Sequence, residues 1–294
     1  MNSNVEDELF LSNGTKNALE TLKFVKKFCG QTFLIKIGGA PLQESKLVAQ
    51  LCSDLSYLRS AGISLVIVHG GGAAISEALE QNNISFSFHD GQRVTTPEMV
   101  KIVEMVLCGK VNRSIVRTLN SCGVRAVGLS GTDDQFLTCS RLNPKLGEVG
   151  LIEEVNTDLL KSYLESQSMQ GHIPVIAPVG TDGNGQPLNI NADWACVAIA
   201  KAMGISKVIY LTDQDGILND KGQLISEIDM SGLKDLVDSQ TVKGGMLAKT
   251  KTIMTALDAG IDQLHIINGS RPHSLIEEIF TDRGTGTICR AQWN

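Results

Sequence analysis

The sequence predicts an α/β protein, a three-layer αβα sandwich in which helices cover both faces of one mostly parallel, open sheet. Short apolar runs alternate along the chain with stretches of helical periodicity, which is the pattern of βα units. The runs 63–68 and 208–212 are apolar at almost every position, as is typical of strands buried on both faces. Glycine-rich turns follow several runs, so we expect ligands beyond the carboxyl ends of the strands.

The composition narrows the class of function. The chain has 294 residues, of which 42% are hydrophobic, enough for a sizeable core. A net charge of −6 without a basic block argues against nucleic-acid binding, and no apolar run approaches the roughly 18–20 residues of a membrane span. The seven cysteines are scattered and form no Cys-x-x-Cys pair, so we expect reduced thiols and a cytoplasmic protein rather than a disulfide framework or a metal site.

The order of the elements predicts an arm and two lobes. We assign residues 1–30 to a polar tail and a helix, with the first 13 residues poorly ordered. The helix either caps the core or reaches another subunit. A first lobe spans 31–204 and a second 205–294, with the boundary after an apolar helix over 194–203.

Helix and proline signals predict how two segments pack. Pro97 opens a helix that is apolar nearly all round and ends at Gly109, so we expect it to be buried on most faces. A second helix follows over 111–121. The strand at 173–179 carries two prolines and is predicted to be more peripheral than its neighbours.

Three glycine-rich turns are candidates for binding anions. The first strand ends in Lys36-Ile37-Gly38-Gly39, and the next apolar run ends in His69-Gly70-Gly71-Gly72 just before a helix. Adjacent glycines leave backbone N–H groups open, and a helix N-terminus adds a positive dipole. Lys243-Gly244-Gly245 repeats the theme, with Lys249 one turn into its helix. A single Lys-x-Gly-Gly would be an ordinary turn; the repetition favours anion sites, none of them a Walker A or a Gly-x-Gly-x-x-Gly turn.

Several polar residues beside these turns could bind a ligand or play an ordinary structural role. Arg93, on a short strand or hairpin, suits a substrate carboxylate as well as an ordinary ion pair with an aspartate. Asn189 and Asn191 point the same way on an extended segment and could line one cleft. Asp193 stands at a helix start, where an aspartate is most often an N-cap.

Taken together, the motifs resemble the amino-acid kinase superfamily and, within it, most closely the acetylglutamate kinases. The resemblance runs from about residue 17 to 290. The motifs that carry it are Lys36-x-Gly-Gly, His69-Gly-Gly-Gly, Gly91-Gln-Arg-Val-Thr, Glu104-Met-Val-Leu-x-Gly-Lys-Val-Asn112, Gly128-Leu-Ser-Gly, Asn189-Ile-Asn-Ala-Asp193 and Gly245-Met-x-x-Lys249. It implies the amino-acid kinase fold, with the acceptor in the first lobe and ATP in the second.

The resemblance implies that ATP, with Mg²⁺ held mainly by its phosphates, phosphorylates the γ-carboxylate of N-acetyl-L-glutamate in arginine biosynthesis. Lys36 and Lys249 would stabilise the transferring group, and Asp193 would hold both lysines. The residues implied to bind the acceptor are Gly71, Gly72, Arg93 and Asn189, with Arg93 on the α-carboxylate. Those implied to face the phosphates and nucleotide are Gly38, Gly39, Thr212, Asp213, Gly216 and Gly245. A carboxylate is already ionised at neutral pH, so its attack needs charge neutralisation rather than a general base.

Both ends of the chain resemble the arginine-inhibited, hexameric branch of these kinases. This implies a homo-oligomer, a dimer or a trimer of dimers, with L-arginine as effector. The implied arginine site comprises Phe24, His273, Glu278 and Gly284, where Phe24 replaces the usual tyrosine. In addition, Thr132-Asp133-Asp134 stands where many relatives carry Lys-Asp-Gly.

Other functions remain open at this point. A kinase of the same fold could act on another acylated amino acid or carboxylate, because the pocket walls cannot be read from sequence. A regulatory member could have lost catalysis, although Lys36, Asp193 and Lys249 are all present. A dehydrogenase is disfavoured because the dinucleotide turn is missing.

Overall fold

The computed structural model describes residues 12–165 and 171–292 and confirms the α/β class. The predicted disordered tail falls almost entirely outside these residues. The strands are β1 Thr32–Ile37, β2 Ser64–His69, β3 Phe88–His89, β4 Gln92–Arg93, β5 Ala126–Ser130, β6 Leu137–Arg141, β7 Gly150–Val155, β8 Ile173–Ala177, β9 Val179–Thr181, β10 Pro187–Asn189, β11 Lys207–Thr212, β12 Glu227–Asp229, β13 Gln263–Asn268 and β14 Thr287–Arg290. The α-helices are α1 Asn13–Phe28, α2 Ser45–Ser60, α3 Gly72–Gln81, α4 Pro97–Glu104, α5 Asn112–Ser121, α6 Thr157–Leu164, α7 Ala192–Met203, α8 Met230–Asp238, α9 Gly244–Asp258 and α10 Ser274–Phe280.

One large sheet organises the molecule. Its strand order is β12-β14-β13-β11-β1-β2-β8-β5, and the ladders are parallel except between β13 and β14. An apolar core lies on each face of this sheet, as expected for strands that carry continuous apolar runs. A second sheet, in the order β10-β9-β6-β7, and the short hairpin β3-β4 complete the strand pairing. In the described part of the chain no helix is long and apolar enough to cross a membrane.

Helix α1 covers the core only with its C-terminal end. Ser12 caps it by accepting a hydrogen bond from the N–H of Thr15. Phe28 is buried against Phe33 of β1. In contrast, Leu19 and Leu22 are 45% and 60% exposed. The structure therefore supports the predicted capping role for the last turns.

Two packing predictions are wrong. The helix from Pro97 does not end at Gly109, because a π-helical segment, Met105–Val111, joins α4 directly to α5. Nor is it buried all round, since Met105 is 61% exposed. Strand β8 lies between β2 and β5, so it is farther out than β2, as predicted, but it is not an edge strand because β5 lies outside it. Its ladder with β2 begins at Val175, so the N–H that Pro174 lacks is not needed there.

Candidate active site

Lys36 and Asp193 form an ion pair where β1 approaches the start of α7. Lys36 Nζ lies 2.8 Å from Asp193 Oδ1, and their side chains are 12% and 19% exposed. Asn191, not Asp193, caps α7, because its Oδ1 accepts from the N–H groups of Asp193 and Trp194. The N-cap reading of Asp193 is thus wrong, and its carboxylate is free to hold Lys36 beside the positive end of the helix.

Lys249 reaches the same edge from α9. Its Nζ donates to Thr212 Oγ1 at 3.0 Å, at the carboxyl end of β11. Burial, and then the charge of Lys36, lower the pKa of Lys249, while the charges of Asp193 and Asp213 act in the opposite direction. The positive charges of the two lysines therefore repel each other across the site. Asp193 contacts Lys36 directly, whereas its effect on Lys249 is through its charge.

Close packing explains two of the predicted glycines. A Cβ on Gly38 would lie 2.5 Å from Lys36 Nζ, so any side chain there would displace the lysine. A Cβ on Gly71 would lie 2.5 Å from Leu107 of the π-helical segment. Gly39 has a φ of +67° and lies against Asp213. The turn after β1 thus brings its backbone close to Lys36 and Asp213.

The remaining predicted glycines differ in their surroundings. Gly72 begins α3, and Gly245 lies in the first turn of α9, with open space where a Cβ would be. Gly216 instead packs on β14, since a Cβ there would lie 2.5 Å from Thr287 Oγ1. Packing alone accounts for a glycine at 216, and its contact with a nucleotide stays a prediction.

Arg93 is a buried cation with unused hydrogen-bonding capacity. Its guanidinium packs against the rings of Phe86 and Phe88, at 4.5 and 4.8 Å from their centroids, and the two rings contact each other edge to face. Nη2 donates to the carbonyl of Gly72 (3.1 Å) and to Ser76 Oγ (2.8 Å). Nη1 is buried and has no hydrogen-bond partner among the residues that the structure describes. Burial lowers the pKa of Arg93, yet an arginine stays charged in proteins, so this site suits a carboxylate.

The glycine turns connect the end of β1, which carries Lys36, to Arg93. The N–H of Gly70 donates to the carbonyl of Ile37 at 2.7 Å, which places the turn after β2 beside the turn after β1. Gly72, at the other end of that turn, holds Arg93. Asn189 joins from β10, where its Nδ2 donates to Thr95 Oγ1 at 3.1 Å. Hydrogen bonds thus link the turns after β1 and β2 with each other and with Arg93.

His69 supports the turn after β2, and the sequence analysis assigned it no role beyond its place in the His69-Gly-Gly-Gly motif. Its Nδ1 donates to the carbonyl of Gly70 (2.8 Å), so its Nε2 accepts from Asn112 Nδ2 (3.2 Å). Burial lowers the pKa of His69 to about 4, so the ring is neutral at pH 7. Asn112 also donates to the carbonyl of Val175 (2.8 Å), which ties the turn to β8. A histidine ending an apolar strand was the available signal.

In the implied arginine site, Glu278 and His273 have separate partners. Glu278 accepts from His265 Nδ1 (2.5 Å) and from the N–H groups of Thr285 (2.7 Å) and Gly286 (3.2 Å). Its histidine partner is therefore His265, whereas His273 bonds Asp54 at 2.7 Å.

Two of these residues adjoin the same region. A Cβ on Gly284 would lie 2.9 Å from Glu278 Oε2. Phe24 is half-buried on α1 and stacks on Phe28. The binding of arginine by this set stays a prediction.

The variant loop at Thr132-Asp133-Asp134 follows the edge strand β5. Asp133 accepts a hydrogen bond from the N–H of Ser130 at 2.7 Å and so stabilises its own turn.

Comparison with known proteins identifies the family. Residues 31–268 match the model of the amino acid kinase family. The chain belongs to this family. It is 42% identical over 275 residues to the acetylglutamate kinase of Caldanaerobacter subterraneus subsp. tengcongensis, covering 92% of this chain and 91% of that protein. It is also 42% identical over 274 residues to the chloroplastic acetylglutamate kinase of Arabidopsis thaliana, covering 92% of this chain and 78% of that one.

A solved structure shows the amino acid kinase fold at lower identity. N-acetylglutamate synthase from Neisseria gonorrhoeae, complexed with coenzyme A and N-acetyl-glutamate, matches with a TM-score of 0.86 at 23% identity. The match covers 96% of this chain and 65% of the synthase, so this chain spans about two thirds of its length. This likeness concerns the fold, and it confirms the sandwich predicted from the sequence.

Proposed function

We propose that the chain transfers the γ-phosphoryl group of ATP to the γ-carboxylate of N-acetyl-L-glutamate. The product is N-acetyl-L-glutamyl 5-phosphate, an early intermediate of arginine biosynthesis. Relatives named acetylglutamate kinase that are 42% identical over most of the chain support this activity. The observation that carries it in the structure is the convergence of Lys36, Asp193 and Lys249 on one edge of the sheet.

The reaction requires charge neutralisation more than proton transfer. The acceptor carboxylate is ionised at neutral pH and attacks an anionic triphosphate. Lys36 and Lys249 offset this repulsion, with Asp193 orienting Lys36. The N–H groups of the glycine turns and the N-termini of α3 and α9 add fixed positive dipoles. Thr212, Asp213 and Gly245 lie on the side we assign to ATP.

Magnesium fits this arrangement as a companion of the phosphates. The described residues contain no group of three or more His, Cys, Asp or Glu side chains suited to a metal. Mg²⁺ commonly takes phosphates and water as most of its ligands. When bound, it shields the negative charge of the triphosphate.

Arg93 gives the acceptor its orientation. Its Nη1, unpaired among the described residues, and its guanidinium packed against two rings suit the α-carboxylate of the substrate. Gly71, Gly72 and Asn189 lie on the same side and would contact the acetylamino group. We accordingly place acceptor binding in residues 31–204 and ATP binding in 205–294.

Trapping of the acyl phosphate tests the proposal. Turnover with N-acetyl-L-glutamate, N-succinyl-L-glutamate and L-glutamate is measured with hydroxylamine present. We expect hydroxamate mainly with the acetyl compound. A preference for another acceptor would favour a different kinase of this fold, and no hydroxamate with any acceptor would favour a silent regulatory member.

Control by arginine and assembly into a homo-oligomer extend the proposal. The helix carrying Phe24 adjoins the region of Glu278, since the N–H of Asp282 donates to Glu20 at 3.0 Å. Adding L-arginine to the same assay should lower turnover, and a flat curve would remove this part. We place the enzyme in the cytoplasm, as proposed from its scattered cysteines, which form no Cys-x-x-Cys pair.

A further inference from the structure

Thr95 connects two residues that we assign to the acceptor. Its side chain is fully buried. Oγ1 donates to the carbonyl of Arg93 at 2.9 Å and accepts from Asn189 Nδ2 at 3.1 Å. Thr95 and Asn189 are 94 residues apart in sequence, so one hydroxyl joins the hairpin to the second sheet.

The backbone around Thr95 is fixed independently of that hydroxyl. The N–H of Thr95 donates to the carbonyl of Leu146 (2.9 Å), and its carbonyl accepts from the N–H of Glu148 (2.7 Å). The carbonyl of Glu148 in turn accepts from the N–H of Asn189 (2.9 Å). Gly147, at a φ of +69°, lies so close that a Cβ would be 2.3 Å from the Thr95 carbonyl. The segment between β6 and β7 therefore holds both backbones.

Because the hydroxyl donates its only proton to Arg93, it must accept from the amide nitrogen of Asn189. This commits one end of the Asn189 amide to Thr95 and leaves Oδ1 and the second N–H for another partner. Removing the hydroxyl would free the amide to rotate and leave the Arg93 carbonyl without this donor. The backbone contacts would persist.

We propose that Thr95 is a positioning residue of the acceptor site, which sets the orientation of Asn189 relative to Arg93. The inference rests on the proposed function, because it takes both residues as acceptor ligands. None of the hydrogen bonds of Thr95 involves the two lysines or the residues assigned to ATP. Its loss should therefore weaken the acceptor interaction and leave that of ATP intact.

The test compares Thr95→Val, which keeps the shape, with Thr95→Ser, which keeps the hydroxyl. We expect Thr95→Val to raise the KM for N-acetyl-L-glutamate about tenfold, as for a lost hydrogen bond that orients a ligand. The KM for ATP should change less than about twofold, and Thr95→Ser should stay within about threefold of the wild type for both substrates.

A double-mutant cycle tests whether Thr95 acts through Asn189. Asn189→Ala alone should raise the acceptor KM, and adding Thr95→Val should change it little further. Fully additive effects would overturn the inference. So would an unchanged acceptor KM in Thr95→Val, or equal losses for both substrates in Thr95→Val and Thr95→Ser.

Thermal unfolding of each variant distinguishes a loss of folding from a change in the orientation of Asn189. If Thr95→Val does not fold, Thr95→Cys takes its place, with a weaker hydrogen-bonding group of similar size and an expected intermediate acceptor KM. If the wild type forms no hydroxamate, the proposed function and this inference fail together. If the wild type acts on N-acetyl-L-glutamate and Thr95→Val matches it, only the inference fails.

Discussion

Two lysine clusters, one partly exposed and one buried, occupy opposite ends of the central strands. At the carboxyl ends, Lys36 pairs with Asp193, and Lys249 bonds Thr212 at the end of β11. At the other end, Lys207 begins β11, and its Nζ donates to His265 Nε2 at 3.0 Å. His265 in turn donates to Glu278, so both clusters hold a lysine and a carboxylate.

The clusters differ in how far their charged side chains are buried against partners within the protein. The His265 and Glu278 side chains are 4% and 1% exposed, and Lys207 also lies over the rings of Phe28 and Phe33. Lys36 and Asp193 keep 12% and 19% exposure beside turns of glycine. The same residue types can thus be closed by internal partners or left open. We interpret the open cluster as the one that meets phosphate.

Replacing one lysine in each cluster should give the largest contrast. Lys36→Met should lower kcat by about 10²–10³-fold, because it removes positive charge aimed at the transferring phosphoryl group. Lys207→Met is the matched control, a buried lysine lost from the same sheet, and should keep most of kcat. The hydroxamate assay measures both. Comparable losses of kcat in the two variants would erase the distinction between the clusters.

Breaking the closed cluster should mainly cost stability. Glu278→Gln removes the carboxylate that receives three hydrogen bonds and leaves Lys207 without its counter-charge. Breaking a buried pair in this way costs about 3–5 kcal/mol of unfolding free energy. Urea unfolding checks this value, with Glu227→Gln on a half-exposed pair to Arg290 as control. Equal unfolding free energies for the two variants would contradict the prediction that the buried Glu278 carboxylate stabilises the fold.

The smallest effect is a pH dependence of stability. Burial lowers the pKa of Lys207 to about 8, against the attraction of Glu278 and with the repulsion of Lys27 and Arg290. Between pH 8 and the ordinary lysine pKa, the unfolded chain binds more protons than the folded one. Stability should therefore rise with pH in this window, by at most about 1.4 kcal/mol per pH unit from this group.

Lys207→Met should remove that rise. The difference in unfolding free energy between wild type and variant, measured at pH 7.5 and 9.5, should shift in favour of the wild type at the higher pH. A difference that stays constant over this range would mean that Lys207 titrates as it does in water.

Much of the fold could be predicted because each buried parallel strand is recognisable from the apolar run in its own sequence. The runs that became β2 and β11 are apolar at almost every position, and each site turn carries its own glycines. The lysines of the site also stand next to these turns in sequence. Local chemistry therefore predicted Lys36, Lys249 and Arg93 as candidates.

The contacts that organise the site could not be predicted, because they join segments that are distant in sequence. Thr95 meets Asn189 and His69 meets Asn112 only after distant segments pair. His265 sits inside a strand, where its sequence neighbours give no sign of Glu278. The second sheet likewise depends on pairing between β6, β7, β9 and β10. Such pairings follow from tertiary packing rather than from local pattern.

The place of β1 in the sheet has a consequence for synthesis. β1 lies between β2 and β11, and residues 38–206 separate it from β11 in the chain. At about 5–20 residues per second, a ribosome needs roughly 10–30 s to translate that interval. During this time β1 has one flank without a partner strand, an apolar edge that invites pairing with other chains. The unpaired flank of β1 therefore stays open until residues 207–212 have been synthesised.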